Sequence, residues 1–339
     1  MADEIHIDGM LVTWGERLFY ESVKVYKAPA KSVLRMPRIR ALHGARPSPR
    51  AIREKLRATL KRMPEVTVKI TGSGRTIKQI KNHLDYISRN GKKVLEDQDG
   101  NLLTDREAIC DLRDAWRDGR HGITTDNGTV RETFNLVLSM PPGTDRQAVH
   151  DAARDFAAAE FHGNYDYVFV SHDDTRHPHA HLVVKAMGYD GKRLNPRKAD
   201  LQRWRESFAT KLREHGIEAN ATKRQARGIA GFSRQKDVIA AEREGRVLPH
   251  YHDRENLRKN TLSEKAVATH SYVLQNYRKL AEALQFSPDV EDRKLAIGIV
   301  DFVKNMSIEA LLEAKKPRHE RTQNRAKNVQ ELSKDEKSR

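Results

Sequence analysis

Apolar and polar positions are most regularly patterned between residues 65 and 230. Val66 to Thr71 alternates β-branched with polar residues, which predicts a half-buried strand. Gly72-Ser73-Gly74 then reads as a turn; no Gly-Lys-Ser/Thr follows, so it is not a phosphate-cradling loop. Ile77, Ile80, Leu84 and Ile87 recur at helical spacing and predict a helix over 76–89. A second helix is expected over 105–117, and a strand over 133–139 that ends at Pro141-Pro142-Gly143. The next helix spans 145–161, with Val149, Ala153 and Phe156 on one side. Strands follow over 165–171 and 180–186, joined by a short loop, and a helix over 201–215 stops at Gly216. Strands interspersed with helices, with a tight connection between the last pair, predict an α+β domain. Its sheet is central and antiparallel, flanked by helices.

The flanks read differently. Residues 1–64 form an extension with a basic second half. In it, Ser48-Pro49 has the pattern of a helix cap followed by proline at the first helical position. Ile52, Leu56 and Leu60 then recur among Arg50, Arg53, Lys55, Arg57, Lys61 and Arg62; a solvated helix and a DNA-gripping arm both fit. Residues 231–314 read as helical and highly charged. There Leu274, Tyr277, Leu280 and Leu284, with Ile297, Ile299, Val300 and Phe302, suit a small bundle. The 315–339 tail loses apolar periodicity and reads as disordered.

Composition narrows the partners. The 339 residues carry a net charge of +16, with 37% apolar and 32% charged residues. Such an excess of Lys and Arg points to a polyanion, whose condensed counterions are released on binding. Nucleic acid suits it better than a membrane surface, since no apolar stretch approaches the ~20 residues that span a bilayer. The opening Met1-Ala2-Asp3-Glu4 has no signal-peptide pattern. The single cysteine, Cys110, rules out an intramolecular disulfide framework and fits the cytoplasm.

The densest chemistry lies in His172-Asp173-Asp174-Thr175-Arg176-His177-Pro178-His179-Ala180-His181. Side chains alternate along a strand, so His179 and His181 share one face while Leu182 and Val184 take the other. His172, ending the preceding strand, supplies a third imidazole if the short loop sets the two strands side by side. Three histidines leave coordination positions open, as a catalytic metal site requires. His177 is an alternative third ligand or a DNA contact. Asp174 either orients a ligand imidazole or acts as a base.

On the helix of 76–89, Tyr86 lies roughly 140° from the centre of the apolar stripe and so faces outward. Arg75, Lys78, Lys81, Arg89 and Lys92 surround it, a cationic setting suited to a phosphodiester and to a phenolate. Taken alone, a surface tyrosine without a role fits as well.

These segments together resemble a known family. Val68-Lys69-Ile70-Thr71-Gly72-Ser73-Gly74-Arg75-Thr76 and Asn82-His83-Leu84-Asp85-Tyr86-Ile87-Ser88-Arg89-Asn90-Gly91-Lys92 resemble plasmid mobilization relaxases of the T-DNA border endonuclease type, in the HUH endonuclease superfamily. Leu138 to Asp145, the histidine cluster, and Arg224-Gln225-Ala226-Arg227-Gly228-Ile229-Ala230 are similar to further motifs of that family, in its order. The likeness covers about 65–230, taken as the catalytic domain. It implies a sheet of about five antiparallel strands. Tyr86 is then the nucleophile, and His172, His179 and His181 are the holders of the metal. From the residues themselves, Asp174 is expected as a second catalytic residue, Mg²⁺ or Mn²⁺ as the divalent ion, and Arg75, Lys78, Arg89, His177, Lys185, Arg224 and Arg227 as DNA contacts.

The implied reaction is reversible nicking of single-stranded or locally melted plasmid DNA at an origin of transfer, through a 5′-phosphotyrosyl intermediate. Accessory relaxosome proteins and a type IV secretion coupling protein are implied as further partners. So is passage into the recipient cell attached to the strand. The alternatives are a rolling-circle replication initiator or transposase of the same superfamily, against which the tyrosine-before-histidines order argues, and a metal-stabilised DNA-binding accessory protein without catalysis. Two features depart from the family: Lys185 stands where asparagine is frequent, and 64 residues precede the core.

Overall fold

The computed structural model describes residues 2–20, 47–119, 122–123, 128–228 and 264–306. Its α-helices are α1 (Ala2–Gly15), followed by a π-helical turn over Glu16–Tyr20, α2 (Pro49–Leu60), α3 (Ile77–Ile87), α4 (Arg106–Asp118), α5 (Arg146–Phe161), α6 (Lys198–Glu214), α7 (Glu264–Gln285) and α8 (Val290–Lys304). The strands are β1 (Thr67–Gly74), β2 (Leu95–Asp97), β3 (Leu102–Leu103), β4 (Thr133–Ser139), β5 (Tyr167–His172) and β6 (His179–Lys185). The chain divides into two compact units, Arg62–Ala221 and the combination of Met1–Lys61 with Thr222–Arg339.

The first unit is built on one six-stranded sheet in the order β1-β4-β6-β5-β2-β3, with every neighbouring pair antiparallel. It is the expected α+β architecture, with six strands where the family likeness implied about five. The hairpin β2–β3 went unread in the sequence. Its strands are too short to alternate visibly, and its turn is tied by the Asp97 carboxylate, which accepts from the backbone of Asp99 and Asn101.

Period-two alternation gives the sheet two apolar faces. Val68, Leu136, Leu138, Leu182 and Val184 face α5 and α6, where Phe156, Trp204 and Phe208 are buried. Val168, Val170 and Val183 face the other way, against Ile80, Leu84 and Ile87 of α3 and Ile109 and Trp116 of α4. Each fully buried side chain of this size contributes about 1.5–3 kcal/mol of transfer free energy.

Gly72-Ser73-Gly74 is not the turn the sequence suggested. β1 runs through it to Gly74, with a bulge between Ile70 and Gly72. A Cβ on Gly74 would lie 2.4 Å from Ile80 Cγ1 and 2.7 Å from Thr133 Oγ1. The glycine therefore lets the start of α3 pack onto the end of the strand. Thr76 then caps α3, its hydroxyl accepting from Gln79 N at 3.2 Å. The helix thus begins at a fixed point on the sheet, which fixes where its last turn falls.

The second unit draws on both flanks of the chain. Leu11, Phe19, Ile52, Leu56, Tyr277, Leu280, Leu284, Ile299 and Phe302 form one core. α2 is capped by Ser48, as its sequence predicts, and is a packed helix: Ile52 and Leu56 are fully buried. Its Arg53 donates two hydrogen bonds of 2.8 Å to Asp292 and one to Asp8. Ile297 and Val300, expected in the bundle core, are instead exposed on α8. The tail expected over 315–339 lies outside the described residues, as does all of 231–263. Among the described residues no helix is long and apolar enough to cross a membrane.

Candidate active site

β5 ends on His172 and β6 begins on His179, and the two residues are direct partners in the antiparallel ladder. His181 stands two residues further along β6, opposite Val170. Alternation puts all three imidazoles on the face shared with α3, while Ala180 and Leu182 enter the other core. One ring nitrogen from each lies within 4.8 Å of the others. Ring centroids are 5.4 Å apart for His172 and His179, 4.6 Å for His172 and His181, and 5.2 Å for His179 and His181.

Backbone carbonyls set two of the tautomers. His172 Nε2 lies 2.6 Å from the carbonyl of Ile87, which can only accept, so the proton sits on Nε2 and the lone pair on Nδ1. The Ile87 carbonyl is one of the last four of α3 and has no partner within the helix. His179 Nδ1 likewise donates to the His177 carbonyl at 2.9 Å, leaving Nε2 free to ligate. His181 Nδ1 is buried with no hydrogen-bond partner. Burial, followed by the neighbouring imidazoles and Arg89, pushes the His181 pKa down to about 3, and burial also lowers that of His172. Two imidazoles oriented by carbonyls and a third with an orphaned buried nitrogen are the donor set a divalent ion requires. The cluster fits a metal.

Tyr86 is the penultimate residue of α3 and is 55% exposed, as its angle from the apolar stripe predicts. Its ring meets His181 edge-on, with centroids 6.0 Å apart and planes at 89°. His83, three residues earlier, stacks on it at 6.0 Å and 27°. Arg89, three residues later, places its guanidinium carbon 5.2 Å from the ring centroid. The chain makes that return through three successive left-handed residues, Arg89, Asn90 and Gly91, with φ of 53°, 57° and 84°. Such a conformation costs a non-glycine residue roughly 1–2 kcal/mol. Here it turns Arg89 back over Tyr86, ion-pairs it with Asp174 and leaves it 3.4 Å from His172 Nδ1.

The loop between β5 and β6 is tied down at several points. Arg146 donates to the Thr175 carbonyl at 2.6 Å, and Lys93 pairs with Asp173 at 2.7 Å. Asp174 bonds to Arg89 rather than to an imidazole, and that guanidinium holds its carboxyl below the ordinary value. His177 contributes its carbonyl, to Thr175 and His179, while its ring is exposed and outside the cluster.

The other expected DNA contacts divide. Lys78 is exposed on α3. Arg75 is half-buried and donates to the carbonyls of Gly128 and Thr129, both at 3.1 Å. Lys185, expected on the DNA, is instead buried, with its ammonium 3.2 Å from Asp166. Arg224 and Arg227 belong to the second unit. Sequence reasoning passed over His83, Arg146 and Lys93. His83 alone carried a visible signal, because residues three apart on a helix are neighbours.

Residues 86–217 match the family model for the relaxase nuclease domain of MobA/VirD2-like type. The chain is 32% identical over 185 residues to the T-DNA border endonuclease VirD2 of Rhizobium radiobacter, covering 49% of this chain and 43% of that protein. The protein of the same name from Rhizobium rhizogenes is 30% identical over 190 residues, covering 49% of this chain and 42% of its own length. That from Agrobacterium fabrum is 29% identical over 192 residues, covering 49% and 41%. The chain thus spans less than half the length of these curated relatives.

Proposed function

We propose that this chain, whose residues 86–217 match the model of the MobA/VirD2-like relaxase nuclease domain, nicks and rejoins single-stranded DNA at a plasmid origin of transfer, for conjugative mobilization. Tyr86 is the nucleophile. Its phenolic oxygen attacks the scissile phosphorus in line as the bond to the 3′ oxygen breaks, giving a 5′-phosphotyrosyl ester and a 3′ hydroxyl. The phenol loses one proton and the departing 3′ oxygen gains one, so the step balances. Bond energy is kept in the ester, and rejoining needs no nucleotide.

The observation that carries this reading is the Tyr86 ring standing edge-on to His181, 6.0 Å away, at the rim of the three-histidine cluster. His172, His179 and His181 would hold a divalent ion, Mg²⁺ or Mn²⁺, which when bound supplies positive charge to a non-bridging phosphate oxygen. Arg89 brings a fixed positive charge to the same phosphate, and Asp174 acts through Arg89 by holding its guanidinium. Lys78, His177 and Arg224 offer exposed contacts to the strand, and the half-buried Arg75 and Arg227 are further candidates. The substrate is single-stranded or locally melted plasmid DNA, which suits a net charge of +16. Accessory relaxosome proteins and a type IV secretion coupling protein are its further partners. The protein acts in the cytoplasm and passes to the recipient cell on the strand.

The test is incubation with a single-stranded suicide oligonucleotide and added Mg²⁺ or Mn²⁺, read by denaturing gel and mass spectrometry. The wild type forms the adduct; Tyr86→Phe forms none while still shifting the oligonucleotide in a native gel. An adduct on the Phe variant ends the nucleophile assignment. A wild type that binds and never cleaves would mark a non-catalytic DNA-binding protein.

A further inference from the structure

We propose that His83 is a positioning residue for the nucleophile: its imidazole stacks on the Tyr86 ring and holds the phenol in one orientation beside the histidine cluster, by packing and not by proton transfer. The inference rests on the reading of Tyr86 as the nucleophile and adds a residue to it. A tyrosine that is 55% exposed, one residue from a helix end, has little packing to select a rotamer. What selects it must come from nearby side chains.

His83 is one turn back on the same helix, where residues i and i+3 meet. The 6.0 Å centroid distance and 27° angle to Tyr86 fall in the range of an offset stack. His83 is itself held, half-buried and edge-on to His181 at 6.5 Å and 70°. The rings of His83, Tyr86 and His181 are therefore mutual neighbours, with centroids 6.0–6.5 Å apart, and the imidazole of His83 lies where it can brace the phenol against the strand of His181. In-line attack requires reacting atoms held near 3–3.5 Å, and a freely turning phenol would spend most of its time outside that geometry.

The test compares wild type, His83→Ala and His83→Phe. The readouts are the single-turnover rate of adduct formation at saturating oligonucleotide, the oligonucleotide Kd measured on the Tyr86→Phe background, and Mn²⁺ affinity without DNA. An aromatic pair of this kind converts to about a 2- to 13-fold change in rate. His83→Ala should slow the adduct step by that factor with both affinities unchanged, and His83→Phe, which keeps the stack but no ring nitrogen, should restore it. In parallel, protein labelled with 3-fluorotyrosine, its Tyr86 resonance assigned by loss in Tyr86→Phe, reports the ring directly without any cleavage. That resonance should move toward the solvent-exposed value in His83→Ala and return in His83→Phe. An Ala variant as fast as wild type with an unmoved resonance overturns the proposal. A Phe variant as slow as Ala overturns it by showing that a ring nitrogen is needed, and weakened Mn²⁺ binding in the Ala variant overturns it in favour of a ligand. Failure of the underlying reading looks different: the wild type itself then forms no adduct at Tyr86.

Discussion

Lys185 separates the sequence reading from the structure most sharply, because the two assign it opposite fates. Its side chain is 3% exposed, and its ammonium is 3.2 Å from the Asp166 carboxylate, which is 16% exposed and also accepts from the Tyr189 hydroxyl. Removing one partner of a buried pair leaves an uncompensated charge and costs about 3–5 kcal/mol. The residual exposure of Asp166 and its bond from Tyr189 put Lys185→Met at the lower end, about 3 kcal/mol. For a domain of this size that is a fall in Tm of roughly 6–12 °C. The double variant Lys185→Met/Asp166→Asn removes both charges and should recover most of the loss. A lysine on a DNA phosphate behaves otherwise. Its removal would lower the slope of log K against log salt by about 0.7 for a single strand and barely touch stability. Urea unfolding followed by circular dichroism, with oligonucleotide binding titrated across salt concentrations, reads both quantities on the same protein. The structure predicts a destabilised variant with an unchanged slope. A stable Lys185→Met protein with a slope reduced by about 0.7 would refute the burial argument and restore the lysine to the DNA.

Arg53→Ala strands the buried Asp292 carboxylate in the second unit and should cost about 3–5 kcal/mol in a urea titration. Burial opposes ionisation of Asp292, but bonds from Arg53 and Ser287 outweigh it and hold its carboxyl below its ordinary 3.8. A carboxyl depressed in the folded state stabilises the fold above its unfolded pKa and loses that contribution as pH falls through the folded one. Urea midpoints should therefore drop below about pH 4, and less steeply in Asp292→Asn. Gly91→Ala meets both a left-handed φ of 84° and a Cβ 2.9 Å from Arg106 N, so it should destabilise by more than the ~1 kcal/mol of simple left-handed strain. Tyr86→Phe, which removes one oxygen from an exposed ring, should leave the urea midpoint within about 0.5 kcal/mol of wild type.

Which parts of the site were legible in the chain follows from how many elements each depends on. His179 and His181 share a face because a strand has period two, and Tyr86 points outward because a helix turns 100° per residue. Both follow from one element alone, and both are as expected. His172 needed one further step, that a short loop pairs adjacent strands, and its ladder partner is indeed His179. Lys185 obeys the same alternation as His181 and lies on the same face, yet its burial is decided by Asp166, which precedes the neighbouring strand. Alternation names the face of a side chain; it cannot name what stands opposite. The second unit failed to declare itself for the same reason: Ile52 and Tyr277 lie far apart in sequence, and neither the α2 pattern nor the α7 pattern says that they share a core. His83 sits between these cases. Helix geometry brings it beside Tyr86, but whether two neighbouring rings stack depends on how His181 and Arg89 confine them, from another strand and from beyond a left-handed turn. A side chain whose direction is set by one element can therefore be read from the chain, whereas one whose partners come from other elements depends on the assembled fold, and it is among these that sequence reading erred or was silent.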